Sequence, residues 1–266
     1  MTTGVVAGLV ADLDAEYVSL VEVLGALDEA GWRLDTPAPG WTVQDQVSHL
    51  AHFDEVTRLA VAEPGRFVAL REGMDDLQTY VDRIGPANHH RDGPGMLAWW
   101  ARDHAALSAA FLAADPTLRV PWFGPSMSLA SKVTARIMET WAHGQDVVDA
   151  VGVTREPTDR LRHVARIGVL AFANSFVARG LETPTAPVRV ELVAPDGSEA
   201  WSYGPPAATD SVSGDALDFC LAVTQRRHVA DTGLVVSGPA ASAWMAIAQA
   251  YAGPPGAGRV PGQFAG

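Results

Sequence analysis

The chain has 266 residues, 48% of them hydrophobic and 19% charged, and its mean hydropathy is close to zero. That is the composition of a globular protein with enough length to bury a core unaided. Its net charge of −12 speaks against nucleic acid and against an anionic membrane surface, because both recruit cationic chains. The single cysteine, Cys220, forms no intrachain disulfide, which suits a reducing cytoplasm. No apolar run reaches the ~20 residues of a membrane span. The N-terminal segment lacks a basic start and is broken by Asp12, Asp14 and Glu16, so no signal peptide is expected. Lys132 is the only lysine.

Residues 5–30 carry apolar side chains at helical spacing, ending at Gly31. "TPAPG" (36–40) is a loop, and Thr42 with Asp45 forms a capping box that opens a helix to about Ala62. Residues 66–83 read as a helix broken by Gly73, 85–95 as a long turn, 96–114 as a helix and 115–126 as an irregular excursion. A strong helix covers 127–150. Four long helices with intervening loops suit an antiparallel bundle.

Beyond 151–157 the character changes. A helix is expected over 158–179, then a hairpin of "VRVELVAP" (188–195) and "AWSYG" (200–204). A Ser-capped helix over 213–227, a strand over 233–238 and a further helix over "PAASAWMAIAQAYAG" follow, before a Gly/Pro-rich tail. The expected fold class is α+β: an antiparallel four-helix bundle over 1–152, a smaller α+β domain over 153–252 and a tail over 253–266.

The 127–150 helix carries two stripes. Val133, Ile137, Trp141 and Val148 form one, and Glu139, His143 and Asp146 form another on nearly the opposite side. Glu and His at i, i+4 converge on one point, as the histidines of a zincin helix do. His49 shares its stripe with Phe53, Val56 and Ala60 and therefore faces a core. Two readings of His49 stand on spacing alone: a metal ligand, or a core histidine bonded to a carbonyl or to Asp45 one turn back.

The motifs "WTVQDQVSHLAHFD" and, about ninety residues on, "ETWAHGQD" resemble the mycothiol-dependent maleylpyruvate isomerase family among the DinB-like metal-binding bundles. The later segment, "GDALDFCLAVTQRR" onward, resembles the C-terminal region of an uncharacterised metal-binding branch of that family. The resemblance implies that His49, Glu139 and His143 bind zinc or another divalent ion. It further implies that the thiolate of mycothiol takes the position three protein ligands leave open and attacks a small electrophilic substrate. The product is then an isomer or an S-transfer adduct. A hydrolase using zinc-bound hydroxide, with Asp146 or His52 as base, and a non-catalytic binder are the rival readings.

Asp146 is expected either to orient His143 or to be an exposed helix-end acid. His52 is a rival ligand, His104 structural, Trp99 and Trp100 core or pocket wall, and His89 and His90 solvated. Cys220 reads as a buried small hydrophobe. Arg226 and Arg227 either complement the C-terminal dipole of their helix or, as the resemblance implies, hold a substrate carboxylate. The expected partners are a small substrate and a low-molecular-weight thiol, the expected location the cytoplasm, and the expected assembly a monomer or homodimer.

Overall fold

The structure is a computed structural model and describes residues 3–264. The first two residues of the expected helical domain and the last two of the expected tail lie outside the described residues. The chain divides into two units, Met1–Arg155 and Glu156–Gly266.

The first unit contains α1 (Thr3–Gly25), α2 (Glu29–Trp32), α3 (Val43–Ala62), α4 (Pro64–Glu72), α5 (Leu77–Asp82), α6 (Ile84–Asn88), α7 (Gly93–Ala113) and α8 (Leu129–Val151). Between α7 and α8 runs a small antiparallel hairpin, β1 (Arg119–Val120) and β2 (Met127–Ser128). The four long helices pack α1 on α7 and α8, and α3 on α7 and α8. The capping box at Thr42 is formed: Asp45 Oδ2 accepts from the Thr42 backbone N–H, and Thr42 Oγ1 accepts from the Asp45 N–H. Gly152 ends α8 in the left-handed region, with φ of 70°.

The first helical pattern divides. It stops at Gly25, and Asp28 caps the short α2, whose Trp32 is buried. Its apolar spacing runs across that break, so periodicity alone predicts one helix through residue 30. The turn expected at 85–95 begins with α6, and the irregular excursion contains the hairpin.

α8 is covered on both sides. Val133, Ile137, Trp141 and Val148 are buried, and so are Lys132, Arg136 and Asp146 on the polar side. Arg136 donates through Nε and Nη2 to Asp54 Oδ1 at 3.1 and 2.8 Å, and through Nη2 to the Leu50 carbonyl. Trp100 Nε1 donates to the other oxygen of Asp54 at 2.9 Å. Burial alone would raise the Asp54 carboxyl, but Arg136 and His104 outweigh it and hold Asp54 below the usual aspartate range. A buried carboxylate with this many donors fixes α3, α7 and α8 to one another.

The second unit contains α9 (Leu161–Leu170), α10 (Phe172–Val177), β3 (Val188–Val193), β4 (Ala200–Tyr203), β5 (Asp210–Asp215), α11 (Ala216–Val223), β6 (Val235–Ser237) and α12 (Pro239–Met245). The sheet order is β4-β3-β5-β6, with β3 antiparallel to β4, parallel to β5, and β5 antiparallel to β6. The mixed α+β class is thus as expected, with two corrections. The helix expected over 158–179 divides at Ala171. Ser213 caps no helix: Ser213 and Gly214 belong to β5, and α11 starts at Ala216 behind Asp215. β5 reads "DSVSGD" and has one large apolar residue, Val212, so no alternation announces it. Gly168 on α9 makes room for α11, since a Cβ there would lie 2.7 Å from Val223 Cγ2.

Candidate metal centre

His49 lies in the middle of α3, and Glu139 and His143 lie one turn apart on α8. Their donor atoms all fall within 4.8 Å of one another. Glu139 Oε2 is 3.2 Å from His143 Nε2 and 3.8 Å from His49 Nε2, and the two imidazole rings are 4.4 Å apart between centroids. Each histidine side chain is 13% exposed and Glu139 is 25% exposed.

The tautomer of His143 follows from a chain of hydrogen bonds. Thr36 Oγ1 spends its only proton on the Trp41 carbonyl, at 2.7 Å. It therefore accepts from Gln46 Nε2, at 2.9 Å. That places Gln46 Oε1 against His143 Nδ1, which must be the donor. The lone pair of a neutral His143 then sits on Nε2, aimed at Glu139. Two acceptors face each other at 3.2 Å, an arrangement that calls for a cation between them, a proton or a metal.

Burial holds the His49 imidazole down to about 3, reinforced by His143 and opposed by Glu139. His49 is thus neutral at physiological pH, as a ligand must be. For Glu139 burial raises the carboxyl pKa, but His143 and His49 beside it outweigh that and keep it well below 4.5. Two imidazoles and a carboxylate suit zinc or a similar divalent ion. The bonded alternative for His49 is not realised: Nδ1 has no hydrogen-bond partner, and Asp45 is engaged with Thr42 and His89.

Aromatic rings flank the donors. Trp41 lies 5.8 Å from the His143 ring at an interplanar angle of 17°, and Phe53 lies 4.5 Å from His49. A cavity of about 270 Å³ opens beside His49, with Gly40, Trp41, Asp45, Gly85 and His89 in its wall.

Two expectations need correction, those for Asp146 and for His89. Asp146 is fully buried, not an exposed helix-end acid. Nor does it orient His143, whose Nδ1 is held by Gln46 and whose Nε2 faces Glu139. His89 is not merely solvated: its Nε2 lies 2.7 Å from Asp45 Oδ1. His52 bonds the Tyr80 hydroxyl, outside the donor cluster. His104 pairs with Asp14 and stacks on Tyr17, while Trp99 and Trp100 are buried and bonded to Asp103 and Asp54. His90 is exposed. Cys220 is fully buried, and burial pushes its thiol up. Arg226 donates to the Thr224 carbonyl, and Arg227 stacks on Phe264 at 3.8 Å while donating to the Arg226 carbonyl. Both arginines belong to the second unit.

Fold and donor cluster together define a DinB-like helical scaffold with three side chains placed so that they could hold a metal ion. Residues 13–148 match the mycothiol maleylpyruvate isomerase N-terminal domain family. Over 258 residues the chain is 41% identical to uncharacterised proteins of Mycobacterium tuberculosis strains CDC 1551 and H37Rv, covering 94% of this chain and 97% of theirs. The chain belongs to the mycothiol maleylpyruvate isomerase family. Its fold is similar to the crystal structure of the mycothiol-dependent maleylpyruvate isomerase, with a TM-score of 0.58 and 15% identity over 87% of this chain and 92% of that one. A histidine-to-alanine mutant of that isomerase gives a TM-score of 0.57 and 14% identity, over 88% of this chain and 95% of the other.

Proposed function

We propose that this protein is a metal- and thiol-dependent enzyme of isomerase type, acting on a small electrophilic alkene. The observation that carries the reading is the opposition of His143 Nε2 and Glu139 Oε2 in a tautomer fixed by Gln46, with neutral His49 completing the set. Membership of the mycothiol maleylpyruvate isomerase family supports a thiol as the co-reactant. His49, Glu139 and His143 would hold a divalent ion, which would lower the pKa of a bound thiol and so supply a thiolate at neutral pH.

The chain's own part is to hold and to exclude. Gln46 fixes the ring of His143, and Glu139 supplies the compensating negative charge. Trp41 and Phe53 cover the histidines and limit water. The chain's only thiol is buried and held protonated, so it supplies no nucleophile of its own. A thiolate that adds to a conjugated alkene converts the double bond into a single one. Rotation and loss of the thiolate give the other isomer, whereas retention of the sulfur gives a conjugate.

The test is calorimetry with mycothiol on zinc-loaded and metal-free protein, followed by maleylpyruvate as a trial electrophile. Binding by the zinc form alone, with release of isomer and no mass of a sulfur conjugate, is expected. Equal binding by both forms, or by neither, overturns the thiol mechanism. A stable conjugate assigns S-transfer instead.

A further inference from the structure

The cavity wall beside His49 carries a second ionisable pair that the metal centre does not use. His89, at the end of α6, places Nε2 2.7 Å from Asp45 Oδ1. Asp45 is itself immobile: its other oxygen accepts from the backbone N–H and the hydroxyl of Thr42, at 2.9 and 2.6 Å. A carboxylate only accepts, so Nε2 carries a proton, and in the neutral imidazole the lone pair is on Nδ1. His89 Nδ1 has no protein partner among the described residues, and the His89 side chain is 45% exposed.

Capping alone does not explain this arrangement, because Oδ2 satisfies the cap. Oδ1 is a separate provision, and Gly85 makes space for it: a Cβ at that position would sit 2.0 Å from Asp45 Oδ1. Gly85 has no positive φ, so the demand is for close approach and not for backbone freedom. An imidazole oriented by a carboxylate, on a residue that lines a cavity, is the arrangement that general acid–base catalysis uses. His49, a candidate metal ligand, lines the same cavity.

We propose that His89, oriented by Asp45, is the proton-transfer residue of this cavity, taking the thiol proton at Nδ1 and returning it to the electrophile. This rests on the thiol reading given above. The S–H bond breaks and an N–H bond forms at His89 Nδ1. The sulfur lone pair forms an S–C bond with the alkene of an α,β-unsaturated carbonyl compound, and the π pair moves to the carbonyl oxygen. The proton on Nδ1 passes to that oxygen and gives an enol. After rotation the steps reverse: Nδ1 regains the proton, the double bond re-forms and the S–C bond breaks.

The experiment measures protons, not turnover. The zinc-loaded full chain is titrated with mycothiol near neutral pH in two buffers of different ionisation enthalpy. The parent should pass clearly less than one proton per thiol to the buffer, because His89 keeps a share. His89→Gln can still donate to Asp45 but holds no proton. It should bind mycothiol within about threefold of the parent and release a full proton. His89→Asn, a second neutral amide, should match it, which guards against a folding defect peculiar to one variant. Equal release by the parent and both variants overturns the assignment of His89 and leaves the thiol reading intact. Failure of the zinc-loaded parent to bind mycothiol overturns both, and the titration separates the two cases.

Discussion

Gln46 on α3 and His143 on α8 are joined by a hydrogen bond that decides which nitrogen of the imidazole faces Glu139. The bond is directional because Gln46 is itself oriented by Thr36. Gln46 is fully buried, so water does not compete for it. A metal-ligating histidine is commonly held in this way through its other nitrogen.

Gln46→Leu should therefore weaken zinc binding by roughly 10- to 100-fold with the helical fold retained. Competition with a chromophoric chelator measures it. Gln46→Glu keeps an acceptor for His143 Nδ1 but loses the donor to Thr36 Oγ1, so its affinity should fall between those of the leucine variant and the parent. Unchanged affinity in the leucine variant would show that Glu139 alone fixes the ring.

Purified protein should carry about one divalent ion per chain, the stoichiometry of a three-ligand site. His49→Ala and His143→Ala should each lose most of it, while circular dichroism stays helical, because the apolar clusters around Phe53, Phe111, Val133 and Ile137 remain. Metal analysis of the dialysed proteins decides this, and an unchanged content in both variants would place the ion elsewhere.

The metal-free protein should lose stability as pH falls from about 6.5 towards 3, the interval between the ordinary value of His49 and its value in the fold. In that interval the unfolded chain binds a proton that the folded chain refuses, so stability rises with pH and is lost on acidification. Glu139 adds to the loss below its ordinary 4.5. Urea midpoints should thus slope less in His49→Leu than in the parent, and the interval above 4.5 isolates the histidine. Parallel slopes would mean that His49 is charged in the native state.

Lys132 is 2% exposed, with Nζ 2.9 Å from the centroid of Trp122. The ring attracts a cation by about 2 kcal/mol at best, whereas desolvating an ammonium costs several kcal/mol. Burial therefore wins, helped by Arg136, and holds the amine well below 10.5. In the interval up to 10.5 the unfolded chain binds the extra proton, so stability rises with pH and the effect vanishes above it. Lys132→Met should raise the melting temperature by about 2–4 °C near pH 7, the shift that ~1 kcal/mol gives in a chain of this size. It should also flatten the rise between about pH 7 and about pH 9. A lower melting temperature in the methionine variant would contradict the argument.

Gly85→Ala forces a Cβ to within 2.0 Å of Asp45 Oδ1. The expected cost is about 1–3 kcal/mol, as for overpacking elsewhere in a core. Denaturant unfolding reads it. An unperturbed midpoint would mean that the Asp45 carboxylate moves freely, contrary to its bonds with Thr42.

The sequence carries the metal centre in unequal parts. Glu139 and His143 announce themselves by helical spacing on one strong helix. Gln46 was also accessible: 46, 49 and 53 fall at i, i+3 and i+7, so Gln46 shares the face of His49 and Phe53. A mid-helix glutamine on an apolar face is the signal. Asp146 lies one turn from His143 on the same helix. Local spacing does not show which partner a neighbouring helix brings, and here that helix brings Gln46. The Asp45–His89 pair spans 44 residues and two elements, and no periodicity links them. In the second unit β5 stayed hidden because its partners, not its own residues, make it a strand.

The buried contact between Arg136 and Asp54 lies one turn before Glu139 on α8 and five residues after His49 on α3. It locks the two ligand-bearing helices against axial sliding, so their spacing does not depend on the ion. An empty centre is then a set of calipers already opened to the right gap. Exchange of an ion held between these helices would then be a local event that requires no refolding.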